Sequence, residues 1–157
     1  MIKVGSIVNA TVYREEPYGV FLRGQDDDAR NFDIFVHLPE VSWTEYVPAN
    51  QLGLLNKSIS VKVIKYDEKK DQWVASIKEA HPEMNPYIPL KSYEWGTVFD
   101  GVVYRKTVDH TYVKLLGGAV GRVIENPNNQ STTMGNKVSV SIVNLDAEGG
   151  KLELKVI

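Results

Sequence analysis

Along most of this chain, apolar residues alternate with polar ones. Val8, Ala10 and Val12 alternate with Asn9 and Thr11, while Val20 and Leu22 flank Phe21. Ile34, Val36 and Leu38 flank Phe35 and His37; Ile59, Val61 and Val63 surround Ser60 and Lys62; a last run covers Gln72 to Ile77. A period of two marks a strand with one buried face, because successive side chains of extended backbone point to opposite sides. Five short runs of this kind, parted by turn residues, predict a small barrel or sandwich. Closure into a barrel would leave no exposed strand edge.

The pattern is written twice. Gly5 to Arg14 (GSIVNATVYR) recurs as Gly96 to Arg105 (GTVFDGVVYR), with Gly5, Val12, Tyr13 and Arg14 repeated as identical residues. Lys57 to Asp67 has its counterpart in Asn136 to Asp146, and Trp73 to Lys78 in Leu152 to Ile157. The blocks keep their order, so a whole domain is duplicated. Between the copies, Pro82, Pro86 and Pro89 oppose strand pairing and favour an extended, fairly stiff spacer. The expected organisation is a first barrel at 1–80, a linker at 81–92 and a second barrel at 93–157.

The same alternation selects a candidate surface. If Val20 and Leu22 point inward, Phe21 and Arg23 point outward; if Val36 and Leu38 point inward, so do Phe35 and His37 point outward. Rings beside a cation form a stacking platform. Such a platform suits unpaired nucleic acid, because every base has a π-face and a duplex hides it. Trp73 falls at an inward position and is expected in the core. Trp43 is expected to pack as a lid on the turn after the third strand.

Composition narrows the classes. The 157 residues are 43% hydrophobic and 24% charged, as in a folded globular chain. Eighteen basic residues face 20 acidic ones, a net charge of −2, so any grip on nucleic acid must come from stacking and local patches. There are no cysteines, and His37, His81 and His110 lack metal-ligand spacing. No catalytic triad, thiol–imidazole pair or phosphate-cradling glycine loop is visible, so neither catalysis, a cofactor nor a metal is expected. No apolar run approaches the roughly 18 residues that span a bilayer, and the start lacks a secretory signal. A cytoplasmic protein without a membrane partner is expected. Asp26-Asp27-Asp28 reads as a solvated loop tip that would repel phosphate.

Several segments together resemble the S1 domain, an RNA-binding repeat of the OB (oligonucleotide/oligosaccharide-binding) class. They are Gly5-Ser6-Ile7-Val8-Asn9-Ala10-Thr11-Val12, Tyr18-Gly19-Val20-Phe21-Leu22, Phe35-Val36-His37-Leu38-Pro39-Glu40-Val41-Ser42-Trp43, Val61 to Asp67 and Ala75-Ser76-Ile77-Lys78. Asn85-Pro86-Tyr87 and Tyr93-Glu94-Trp95-Gly96 are similar to the aromatic spacer joining consecutive S1 repeats. The resemblance implies an all-β chain of two tandem five-stranded antiparallel OB barrels that binds single-stranded RNA without catalysis. It matches Tyr18, Phe21 and His37 to RNA-contacting positions and Asp67 to a position near the site. Gln72 stands where the family often has a basic residue.

The second repeat departs from this pattern. Tyr112 replaces Phe21, Lys114 replaces Arg23, Arg122 replaces Phe35 and Ile124 replaces His37, while Asp109-His110 stands for the aromatic–Gly pair. Its aromatic face shrinks to Tyr112, with Tyr104, Lys114 and Arg122 as helpers, and the polar stretch Glu125 to Thr133 reads as a mobile loop. Worn repeats of the family often contact protein. The alternative expectation is therefore a docking module whose second barrel holds a protein partner in a ribosome, polymerase or nuclease assembly.

Overall fold

The computed structural model describes residues 2–45 and 47–157. The chain divides into two compact units, Met1–Met84 and Asn85–Ile157. In the first, β1 (Ile7–Glu16), β2 (Gly19–Gln25), β3 (Asn31–His37), β4 (Ser58–Asp67) and β5 (Gln72–Ser76) close a barrel in the order β1-β2-β3-β5-β4. Neighbours run antiparallel except β3 and β5, which run parallel. The expectation of a wholly antiparallel barrel yields at this seam for a geometric reason. A ring of five strands cannot alternate direction all the way round, so at least one pair must agree.

The inward positions behave as the alternation requires. Val12, Val20, Leu22, Ile34, Val36 and Val61 are fully buried. Burying each such side chain contributes roughly 1.5–3 kcal/mol. Trp73 is half-buried at the margin of this core, tilted against Tyr66 with ring centroids 4.9 Å apart.

β5 ends at Ser76, short of the Ile77 expected, because the buried Ser76 caps the single turn α1 (Ile77–Ala80). Its hydroxyl accepts from the Glu79 amide (3.0 Å) and donates to Glu40 Oε1 (2.7 Å). Trp43 is tied to this turn. Its Nε1 donates to the carbonyls of Lys78 and His81, both at 3.1 Å, and Lys78 Nζ lies 4.6 Å from the ring centre. Burial beside that ring pushes the Lys78 ammonium below its ordinary pKa.

The second unit repeats the design with β6 (Phe99–Lys106), β7 (Thr111–Leu115), β8 (Val120–Glu125), β9 (Lys137–Asp146) and β10 (Lys151–Val156). They close in the order β10-β8-β7-β6-β9, and β8 and β10 form the parallel pair. The polar stretch between β8 and β9 is braced locally: Asn126 Nδ2 donates to the Gln130 carbonyl (2.9 Å), and Asn126 Oδ1 accepts from the Gln130 amide (3.0 Å).

The proline-rich segment is not an extended spacer. Pro82–Met84 and Ile88–Ser92 form 3₁₀ turns, and the residues between them are anchored in the second unit. Asn85 Nδ2 donates to the Ala147 carbonyl (2.8 Å), while its Oδ1 accepts from the Tyr87 amide (2.9 Å). Tyr87 is fully buried; its hydroxyl donates to the Val120 carbonyl (3.0 Å) and accepts from the Val120 amide (3.1 Å). Aromatic burial and a satisfied phenol outweigh the proline preference for extension.

Removing that hydroxyl strips buried backbone groups of a partner, so Tyr87→Phe should destabilise the second barrel by about 1–3 kcal/mol. Urea unfolding followed by near-ultraviolet circular dichroism would read the loss; an unchanged midpoint would contradict it.

Candidate nucleic-acid interface

Strand register assembles the outer face of the first barrel. β2 and β3 place Gly19 opposite His37, Phe21 opposite Phe35 and Arg23 opposite Asp33. β1 adds Arg14 opposite Phe21, and β5 and β4 continue the same row with Val74 and Lys65. The rings meet: Phe21 and Phe35 have centroids 4.9 Å apart, and Tyr18 stands 6.3 Å from Phe21 and 6.0 Å from Phe35. His37 lies 5.9 Å from Phe35. Phe21 and Phe35 are half-buried at the base, whereas Tyr18 and His37 are exposed at the rim. The structure thus brings Tyr18, Phe21, Phe35 and His37 into one cluster.

Gly19 makes the cluster possible. A Cβ there would lie 2.4 Å from the Val36 carbonyl oxygen and 2.7 Å from Phe35 Cε1, so the bare backbone leaves the space that Phe35 occupies.

The cations are held close to this surface by carboxylates. Arg23 Nε donates to Asp33 Oδ1 (3.0 Å), and its guanidinium carbon is 4.2 Å from the Tyr13 ring centre. Arg14 Nε donates to Glu16 Oε1 (2.9 Å), and its guanidinium carbon is 4.8 Å from the Phe21 ring centre. Each acidic partner, chiefly through its hydrogen bond, raises the arginine above its ordinary pKa.

Asp67 lies at the end of β4 opposite Gln72. Its Oδ1 accepts from the amides of Lys69 (3.1 Å) and Lys70 (3.3 Å), bracing the turn into β5. Asp26 is similarly engaged with its own loop. Its Oδ1 accepts from the Arg30 and Asp28 amides, which hold the carboxyl below the usual carboxylate range.

Tyr13 and Arg14 belong to this surface and were not among the residues expected there. Simple alternation after inward Val12 turns Tyr13 outward but returns Arg14 to the core. A register shift between Val12 and Arg14 breaks that alternation, and both side chains emerge exposed. The recurrence of Val-Tyr-Arg in both repeats was the available signal.

In the second barrel the same row reads differently. Arg105 and Arg122 stand opposite Tyr112, and Glu153 stands between Arg122 and Asn144. Arg122 therefore occupies the place of Phe35. Its Nη2 donates to Glu153 Oε2 (2.9 Å), while Asn144 Nδ2 donates to Glu153 Oε1 (2.8 Å). The Asn144 bond, then Arg122, holds the Glu153 carboxyl below its ordinary range, so the pair stays charged near neutral pH. Lys114 Nζ lies 4.5 Å from the Tyr104 ring centre, and His110 meets Tyr112 edge-on at 6.2 Å.

Two closed five-stranded barrels of this strand order, with an aromatic face on the second and third strands of the first, define an OB-class protein. The family model described as the S1 RNA binding domain matches residues 2–78. That match takes in the first barrel, and the second barrel repeats its closed five-stranded order.

Over 165 residues it is 26% identical to the small ribosomal subunit protein bS1 of Rickettsia conorii, spanning 99% of this chain and 28% of that protein. Over 67 residues it is 36% identical to a polyribonucleotide nucleotidyltransferase of Streptococcus pyogenes, spanning 43% of this chain and 9% of the enzyme. It therefore covers only a minor part of the length of either relative. The solution structure of GSP13 from Bacillus subtilis aligns with a TM-score of 0.41 at 27% identity, covering 50% of this chain and 58% of that one.

Because Gly19 admits no Cβ, Gly19→Ala should cost about 1–3 kcal/mol of first-barrel stability and displace the Phe35 ring. Thermal unfolding and the aromatic proton shifts of Phe35 and His37 measure the two effects; unmoved shifts would show that the ring does not depend on Gly19.

Proposed function

We propose that this protein binds single-stranded RNA, without catalysing a reaction on it, through the aromatic and basic face of its first barrel. The observation that carries this reading is the Tyr18–Phe21–Phe35–His37 ring cluster on the outer face of β2 and β3. Unpaired bases stack on such rings at about 1–3 kcal/mol each, with little sequence preference. A duplex offers its backbone and hides those base faces. The match of residues 2–78 to a family model described as RNA-binding supports the reading, and the likeness to bS1 supports a cytoplasmic role in translation.

Electrostatics shapes the binding. Arg14 and Arg23 are already paired with Glu16 and Asp33, and the net charge is −2. Stacking therefore supplies more of the affinity than phosphate contacts do. Asp67 serves this reading as a brace for the β4–β5 turn beside the face. In the second barrel, Tyr112, Lys114 and Arg122 form a smaller surface in which Glu153 competes with phosphate for Arg122.

A second reading assigns the second barrel to a protein partner. It is favoured by an open groove of about 660 Å³ lined by Gly101, Val102, Leu115, Leu116 and Val138 with Lys114 and Lys137, where Leu116 is 98% exposed. Asp100 also lines it, so an apolar segment with polar flanks would suit it.

Anisotropy titration of a labelled, unstructured RNA of about a dozen nucleotides tests the main reading, with duplex RNA as control. Phe21→Ala should weaken single-strand binding by about 1–3 kcal/mol, roughly 5- to 150-fold, with weak duplex binding throughout. No saturable binding by the unaltered protein would refute the proposal.

Glu153→Gln separates the two readings of the second barrel. If RNA crosses that face, freeing Arg122 should steepen the salt dependence by about 0.7 in log K against log salt, one added phosphate contact. An unchanged slope would favour the protein partner.

A further inference from the structure

We propose that the bulged Tyr–Arg pair on the first strand of each barrel forms an additional nucleotide subsite for single-stranded RNA, beside the β2–β3 face and outside it. The inference rests on the RNA-binding reading above. Three observations carry it.

The first is backbone geometry. β1 passes from Val12 opposite Leu22 to Arg14 opposite Phe21, which leaves Tyr13 as the extra residue of a bulge. Val12 is fully buried, yet Tyr13 is 38% exposed and Arg14 is exposed beside it. A bulge re-aims a side chain. Here it delivers two consecutive side chains to the surface that carries the rings.

The second is chemistry. The Tyr13 ring lies 6.4 Å from Phe21 and extends the aromatic surface past its edge towards β1. Arg23 covers part of this ring, and the Arg14 guanidinium lies over Phe21, anchored through Nε by Glu16. Aromatic rings and flat guanidinium planes both accept a stacked base. The phenol hydroxyl adds a polar group for a ribose or base edge.

The third is recurrence. β6 shifts register in the same way, from Val103 opposite Val113 to Arg105 opposite Tyr112, and Tyr104 is its bulged residue. A cation from the next strand, Lys114, again lies over the bulged ring. Val-Tyr-Arg is identical in the two barrels, although Phe35 has become Arg122 and His37 has become Ile124. Barrel closure calls for the buried valine at this point and does not by itself require a partly exposed tyrosine after it. The subsite is therefore the part of the binding surface that both barrels still share, and it provides the second barrel with a stacking position next to Tyr112.

The test uses the full chain and labelled oligouridylates of about three to a dozen nucleotides. Tyr13→Ser should weaken binding of the longer RNAs about 5- to 10-fold and leave the shortest bound length unaffected, whereas Tyr13→Phe should bind nearly as the unaltered protein does. Adding Tyr104→Ser should cause a further loss of similar size on the longest RNAs. Circular dichroism melting verifies folding, and Tyr13→Leu, which keeps apolar bulk, replaces the serine variant if that unfolds. Wild-type binding by Tyr13→Ser at every length, with Phe21→Ala still impaired, would overturn the subsite and leave the RNA reading standing. An equal loss at every length would also overturn it, since Tyr13 would then only position Phe21. Absence of binding by the unaltered protein would remove both.

Discussion

A closed ring of five strands imposes a mismatch, and much of each barrel follows from where that mismatch falls. With an odd number of members, antiparallel alternation fails at least once. The failure is located between the third and fifth strands of each barrel. A parallel pair cannot be joined by a tight hairpin, so the chain crosses over before β4 begins. Residues of that crossing, including Val41 and Ala49, are buried against the first core. The β1–β2–β3 meander, joined by short turns, meets the seam only along β3 and is antiparallel throughout. The ring cluster of Tyr18, Phe21, Phe35 and His37 is built on that meander.

On this face the charges are largely balanced in advance. Arg14 with Glu16, Arg23 with Asp33 and Arg122 with Glu153 form exposed or half-exposed pairs, each close to 3 Å. Exposed pairs of this kind contribute little to stability, at most about 1 kcal/mol. Their effect is on geometry, because the carboxylates keep the Arg14 and Arg23 guanidinium planes close against rings. A ligand offering a flat π-surface meets prearranged planes, whereas one offering only negative charge must first compete with a carboxylate.

Alternation was enough to reveal the strands, the inward residues Val20, Leu22, Ile34 and Val36, and the outward set Phe21, Arg23, Phe35 and His37. It works because period two is set by backbone geometry and does not depend on distant contacts. Its failures are local and physical. Arg14 escaped because a bulge adds one residue to β1 and resets the period. The hydrogen-bond partners of Trp43, the carbonyls of Lys78 and His81, lie far along the chain, where no local pattern points to them. The prolines suggested a spacer because local stiffness is legible in sequence, and the burial of Tyr87 against Val120 is not.

That last contact has a bearing on synthesis. Chains leave the ribosome from the N-terminus and fold domain by domain as they emerge. Asn85 and Tyr87 are made early, but their partners Val120 and Ala147 are made much later. The segment must therefore wait without its native partners until most of the second barrel has emerged. Only then can it lock in place, so the joint between the repeats becomes ordered together with the second barrel and not with the first.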